Sequence, residues 1–362
     1  MNDFYFHRRN EFRLNGRMNM TRVISRAIFL RWLCAAGVLF HAALVGAAEV
    51  RINLGTLAPR ASTYYNALKT MGDKWKPLGV HLVIYPDGSQ GGEAEMVRLM
   101  RLNSLQAGAL TGVGLTDIEE SVSGLLSIPM MYRNLEEFDG VASQIQPELE
   151  QKLLQKGFIV LFWSDAGWVR YFSKTPLLHP DDLKKMKTFV WAGNPAQVSI
   201  MKEGGFNPVS LETSQILPGL QTGLIDTVAV PPIFALAGQL DRRAPHMLEL
   251  NWAPLIGALV MTKAAWDKIP ADARAGIRQA AEEAGRIIKT DGRRESDRAV
   301  QAMKRRGLNV HAVTPDMEAE WRQAAEAVYP KIRGSLVPAE IFDRVVQTAK
   351  AYREKAEGKK NE

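Results

Sequence analysis

The stretch from Asp181 to Pro232 constrains the fold most. It reads as strand, turn, helix, strand and helix, ending on the Pro231-Pro232 pair. A short apolar run closing on Phe189-Val190-Trp191 looks like a buried strand, and Gly193-Asn194-Pro195 follows it at once with turn chemistry. Residues just past the carboxyl end of such a strand are where α/β folds hold ligands.

The same alternation precedes the stretch. Val50 to Gly55 and Val80 to Tyr85 read as strands around an amphipathic helix from Ala61 to Leu78, capped near Ser62-Thr63. A helix starting in Gly91 to Met96 and running to about Leu102, a strand from Ala107 to Val113, a helical Leu149 to Lys156 and a strand from Phe158 to Ser164 continue it. Strands alternating with helices predict parallel βαβ units in open sheets, hence an α/β fold. A chain of 362 residues with 46% hydrophobic composition can bury a large core, and that length predicts two lobes. Beyond a strand from Leu255 to Met261, Ala271 to about Arg306 is rich in Ala, Glu, Arg and Lys and contains no proline. A helix of ~36 residues there would run ~54 Å and brace both lobes. Gly276, Gly285 and Gly292 are its candidate bends or breaks. A strand from Leu308 to Val313 and helices from Met317 to Tyr352 finish the chain, and a charged tail from Arg353 is expected to fray.

The net charge of +7 raises the question of a nucleic-acid partner. Residues 1–48 carry seven arginines against Asp3 and Glu11, so five of those charges lie there and two remain for the rest. The electrostatic case for DNA or RNA falls away. That leader has a basic start, an apolar run from Trp32 to Val45 and small residues at Gly46, Ala47 and Ala48. It is the pattern of a secretory signal peptide cleaved after Ala47 or Ala48, and Met18 or Met20 is an alternative start. The apolar run is shorter than the ~20 residues a spanning helix needs. Cys34, the single cysteine, lies in this run behind bulky Trp32 and Leu33, which argues against lipidation. The mature chain would have neither disulfides nor thiolate sites.

Catalytic and metal motifs are missing from the sequence. His81, His179, His246 and His311 have no metal-ligand spacing. No HExxH, GxSxG or Walker pattern occurs, and Gly112-Val113-Gly114 meets Asp117 where a dinucleotide fingerprint needs glycine. No nucleophile is placed with a base, so binding is the expected activity, with no cofactor.

Particular stretches carry a resemblance. Tyr85-Pro86-Asp87-Gly88-Ser89-Gln90-Gly91-Gly92-Glu93, Ser127-Ile128-Pro129, Pro180 to Lys184, Gly193-Asn194-Pro195, Leu220 to Asp226 and Trp266-Asp267-Lys268-Ile269-Pro270 resemble the periplasmic solute-binding proteins of tripartite ATP-independent (TRAP) transporters. The resemblance runs from Val50 to about Tyr352. It implies a two-lobed periplasmic binding protein fold with a long helix spanning both lobes, closing over one small ligand and delivering it to membrane permease subunits. Membrane contact would come only through that permease. The expected lobes are 49–167 with about 256–290, and 168–255 with about 291–352, followed by the tail 353–362.

Two departures from the family pattern shape the expected site. Family members usually have an arginine in the strand after the Asp-Leu-Lys-Gly turn, where it clamps a ligand carboxylate. Here that position is Phe189, and Lys185 replaces the turn glycine. Where many members have Gln-Glu-Asn-Pro, this chain has Val228-Ala229-Val230-Pro231. Both changes remove polar contacts, and Trp168, Trp191 and Trp252 are available as aromatic walls, core packing being the alternative role for each. Arg170, one residue away from a second family arginine, is the candidate anchor for an acid, or else a surface residue on a strand end. Arg60, Thr111, Asn194, Thr213 and Val230 complete the expected ligand contacts. The expected ligand is a small organic acid with an apolar or aromatic part. An uncharged apolar ligand, or an exported enzyme on a two-lobed scaffold, are the alternatives.

Overall fold

The structure is a computed structural model describing residues 49–60, 62–192 and 194–358. The expected signal peptide with Cys34, Ala47 and Ala48, the turn residue Gly193 and the last four residues lie outside the described residues.

Eleven strands form two sheets in the described chain. They are β1 (Val50–Thr56), β2 (Val80–Tyr85), β3 (Ala107–Thr111), β4 (Phe158–Trp168), β5 (Arg170–Ser173), β6 (Lys187–Trp191), β7 (Asn207–Leu211), β8 (Thr227–Val230), β9 (His246–Leu248), β10 (Pro254–Thr262) and β11 (Asn309–His311). The first sheet has the order β2-β1-β3-β10-β4, and the second β11-β9-β5-β8-β6-β7. Each sheet centres one lobe. The expected parallel units are present in β1, β2 and β3 and in β6, β7 and β8. The sheets are mixed overall, because β10 runs antiparallel to β3 and β4, and β5 antiparallel to β8 and β9. The reason is that β4 runs on into β5, and β9 returns towards β10, so two segments pass between the sheets.

Local chemistry explains the helices. Thr63–Trp75 begins where the Ser62 hydroxyl accepts from the Tyr65 amide at 3.2 Å. Pro195–Glu203 begins at Asn194, whose Oδ1 accepts from Gln197 N at 3.0 Å, with proline in the first turn. The sequence read only the end of Leu135–Gln155, since Pro147 sits inside that helix.

Arg274–Lys304 is one helix of 31 residues, uninterrupted at its glycines. Those glycines allow close approach to the first lobe. A Cβ at Gly285 would lie 2.6 Å from Phe162, and one at Gly292 would lie 2.6 Å from the Tyr64 hydroxyl. The helix packs on β4 and Thr63–Trp75 in the first lobe and on Pro232–Ala237 in the second, so it spans both.

The C-terminal segment crosses back. Pro315–Glu326 packs with the second sheet's elements, whereas Ala339–Gly358 lies against Leu135–Gln155 on the first lobe. Arg353, where fraying was expected to begin, lies within this last helix. Its Nε and Nη2 donate to Glu137 Oε1 at 2.9 and 2.6 Å, and Nη2 also reaches the Met131 carbonyl at 2.6 Å. A buried carboxylate therefore holds the segment down. Among the described residues no helix is long and apolar enough to cross a membrane.

Candidate ligand-binding cleft

The crossing segments fix the geometry between the lobes. Val169, between β4 and β5, donates its amide to Ala253 O at 2.8 Å, which joins the two crossings. Gly167, with φ +74°, turns the chain beside Asp165, and the Asp165 carboxylate accepts the Gly167 amide at 2.9 Å. Arg293 on the long helix clamps this corner through Asp165.

Against the crossings lies a cavity of about 380 Å³. Thr116, Asp117, Glu120 and Ser127 reach it from the first lobe, and Phe189, Trp191, Asn194 and Gln197 from the second. Trp252 and Tyr171 line it near the crossings, and Trp321 closes it from the C-terminal segment. The aromatic walls support one another. Tyr171 meets Trp252 edge-on at 5.4 Å and stacks with Trp321 at 5.7 Å, while Phe189 and Trp191 meet edge-on at 5.0 Å. Among the described residues, Asp117 and Glu120 are the charged side chains in the lining, and no Lys, Arg or His contributes to it. Burial pushes the Asp117 carboxyl up, opposed by the charge of Arg101, which donates to the Asp117 carbonyl at 2.8 Å.

A smaller cavity of about 70 Å³ adjoins β1 and β3 and is lined by Thr111, Glu93, Tyr64, Ser164, Asp165 and Phe234 among others. Glu93 is buried there, which pushes its carboxyl up. Hydrogen bonds from Thr111 Oγ1 and N, both 2.5 Å, and from Gly114 N at 3.0 Å pull the other way. Among the described residues no group of three or more His, Cys, Asp or Glu is placed to hold a metal ion.

Of the residues expected in the site, Phe189, Trp191, Asn194 and Trp252 meet in the large cavity, and Thr111 lines the small one. The others lie elsewhere. Trp168 pairs with Pro254 and packs on the first lobe's core. Val230 is buried in the second lobe's core opposite Arg170 on β5. Thr213 is exposed on a one-turn 3₁₀ helix, and Arg60 is exposed with its guanidinium 5.6 Å from the Tyr65 ring centre. Alternation along β5 puts Tyr171 on the cavity face and Arg170 on the other, with Phe172. Arg170 lines neither cavity and makes no ion pair with the described residues. Burial depresses its pKa, against the charges of Glu249 and Asp297.

The sequence reading missed Thr116, Asp117, Ser127, Gln197, Tyr171 and Trp321. Gln197 had a signal, one turn after the Gly193-Asn194-Pro195 turn, and Tyr171 follows from alternation beside Arg170. Trp321 had none, since it reaches the cavity only through the path of the C-terminal segment.

Comparison with known proteins agrees with this architecture. The family model described as bacterial extracellular solute-binding protein, family 7, matches residues 54–335. The C4-dicarboxylate-binding periplasmic protein DctP of Rhodobacter capsulatus is 24% identical over 72% of this chain and 79% of its own. The 2,3-diketo-L-gulonate-binding periplasmic protein YiaO of Escherichia coli is 24% identical over 80% of this chain and 87% of its own. A TRAP periplasmic solute-binding protein of Shewanella oneidensis, solved with bound succinate, superposes with a TM-score of 0.77 at 18% identity, over 83% of this chain and 100% of that one. Another from Pseudomonas putida, with bound D-glucuronate, gives 0.74 at 21% identity, over 82% and 96%. These relatives are binding proteins, not enzymes. With the family model spanning both lobes and the crossings between them, this chain belongs to family 7 of the bacterial extracellular solute-binding proteins, the solute receptors of TRAP transporters.

Proposed function

We propose that the protein is a periplasmic receptor that binds a small organic acid with an apolar or aromatic part and hands it to the membrane permease subunits of a TRAP transporter. The observation that carries this reading is the cavity at the lobe crossings, walled by Phe189, Trp191, Tyr171, Trp252 and Trp321. Relatives named for dicarboxylate or diketogulonate binding, and neighbours solved with succinate or glucuronate, support an acid. Phe189, where the family pattern has an arginine, favours a less polar partner than theirs. Arg170 is the cation the sequence offers to a carboxylate; it makes no ion pair with the described residues, though the charges of Glu249 and Asp297 act on it and it lies on the face of β5 away from the cavity. Export rests on the leader, and sequencing the amino terminus of the secreted protein checks cleavage near Ala47 or Ala48.

A second reading, an uncharged apolar ligand, is favoured by the lack of any Lys, Arg or His in the cavity lining among the described residues. Arg170→Ala separates the two. For an acid, the variant loses a charge-assisted contact of about 1.5–3 kcal/mol, roughly 10- to 150-fold in affinity. A neutral ligand would bind it as it binds the parent. Thermal-shift screening of aromatic and branched-chain acids tests the class, and tight binding of succinate or malate instead would refute the apolar site.

A further inference from the structure

The large cavity extends beyond the two lobes, and its remaining wall is built by the C-terminal segment. Trp321, Ala324 and Ala325 come from Pro315–Glu326, Val328 follows them, Ile332 ends the short helix Tyr329–Ile332, and Leu336 lies in the turn after it. This segment bridges the lobes: Trp321 and Ala325 belong to the cluster with Tyr171 and Leu250, and Ile332 to the first lobe's core. Its polar groups are used outside the cavity. Trp321 Nε1 donates to Leu178 O at 2.8 Å, Tyr329 Oη to Pro129 O at 2.8 Å, and Arg322 Nη1 to Met130 O at 3.0 Å. Apart from the Trp321 indole, Ser335 is the single polar side chain this segment gives to the lining. The other polar groups, Thr116, Asp117, Glu120, Ser127, Thr188, Asn194 and Gln197 with the Tyr171 and tryptophan heads, come from the lobes and crossings, or from Trp321 itself.

Ala196, Gln197, Ile200 and Met201 of Pro195–Glu203 also line the cavity, no residue of that helix is buried, and Ile200 packs against the cluster that contains Ile332. The helix is tied to the C-terminal segment by Glu203 and Lys331 at 3.3 Å. The apolar surface that lines the cavity is stabilised by an apolar occupant.

We infer that the C-terminal segment, through Ala324 and Val328, sets the length of the ligand's apolar part: the ligand is elongated, with a hydrocarbon or aryl end seated between this wall and Pro195–Glu203. The inference rests on the receptor reading above and adds a length limit to it. Two small side chains at 324 and 325 leave room that a larger residue would fill.

The test uses straight-chain monocarboxylates and matching 1-alkanols of increasing length, titrated calorimetrically into the mature protein. Affinity should rise about fourfold per methylene until the cavity is filled, at ~0.8 kcal/mol each. Ala324→Phe should weaken the longest binders more than tenfold and leave the short ones unchanged, and Val328→Ala should move the optimum to a longer chain. Affinity independent of length, or equal losses for short and long members in Ala324→Phe, would overturn the length limit while the receptor reading stands. Failure of every member of both series to bind folded parent protein would overturn the apolar-ligand reading and the length limit with it.

Discussion

Arg293 on the long helix donates from Nε and Nη2 to both carboxylate oxygens of Asp165 in β4, at 2.9 and 2.7 Å. Its Nη1 and Nη2 also reach Asp139 at 2.9 and 2.7 Å. Burial works against the Arg293 charge, but the two carboxylates hold its pKa above the usual arginine value. The Asp165 side chain is 1% exposed and Arg293 21%, so the pair sits where a lone charge is costly. It fixes the long helix to the strand that crosses between lobes.

Removing one partner should therefore cost more than removing both. Arg293→Ala is expected to lower unfolding free energy by about 3–5 kcal/mol, because Asp165 is left buried and unpaired. Asp165→Asn with Arg293→Leu should recover part of that loss. Urea unfolding of the parent, single and double variants measures it, and equal stability of parent and Arg293→Ala would disprove the clamp.

Glu93, at the start of the neighbouring helix Glu93–Arg101, holds the start of the helix Gly112–Ile118. Glu93→Ala strands two backbone donors, at a cost of about 1–3 kcal/mol for each. Glu93→Gln keeps one acceptor and should fall between parent and alanine variant. The order of urea midpoints decides it, and an unchanged midpoint for Glu93→Ala would mean that water replaces the carboxylate.

The C-terminal segment should dock in a pH-dependent way. His179 Nδ1 lies 2.6 Å from Glu320 Oε2 on Pro315–Glu326. This hydrogen bond raises the His179 pKa above 6.5; slight desolvation opposes it, and the charges of Glu320, Asp182 and Asp181 add to it. A raised histidine pKa contributes stability that is complete below the unfolded value and is lost as pH rises through the folded one. Stability should accordingly fall as pH climbs from 6.5 through that higher folded pKa, and His179→Gln should flatten the change. Both groups are exposed, so the effect is small, and identical pH profiles for parent and variant would rule it out.

Pro195–Glu203 should be the segment that responds most to ligand. None of its residues is buried, so its amides should exchange quickly in the free protein and slow at least tenfold when the cavity is filled. Asn194→Ala, which removes the cap on Gln197, should cost the helix about 1 kcal/mol and speed exchange further. Hydrogen exchange with and without a bound acid reads both, and unchanged protection on binding would exclude this helix as a cavity wall.

The local pattern carried much of this in the sequence. Apolar runs fixed β2 to the residue, Ser62 marked a helix start, Gly193-Asn194-Pro195 marked a turn, and proline-free composition located the long helix to within a few residues at each end. That Phe189, Trp191 and Asn194 line one cavity follows from strand, turn and helix start lying next to one another in the chain. Folding decided what depends on distant segments meeting. Sheet direction at β5 and β10 follows from the crossings, which leave no local signal. Glycines in the long helix read as breaks until Phe162 and Tyr64 were found against them. Arg170 and Tyr171 are neighbours in sequence, yet alternation on β5 sends only Tyr171 into the cavity, and Trp321 arrives there from 150 residues further on. Local propensity is set by neighbouring residues, whereas the composition of a cavity is set by which surfaces the whole chain brings together.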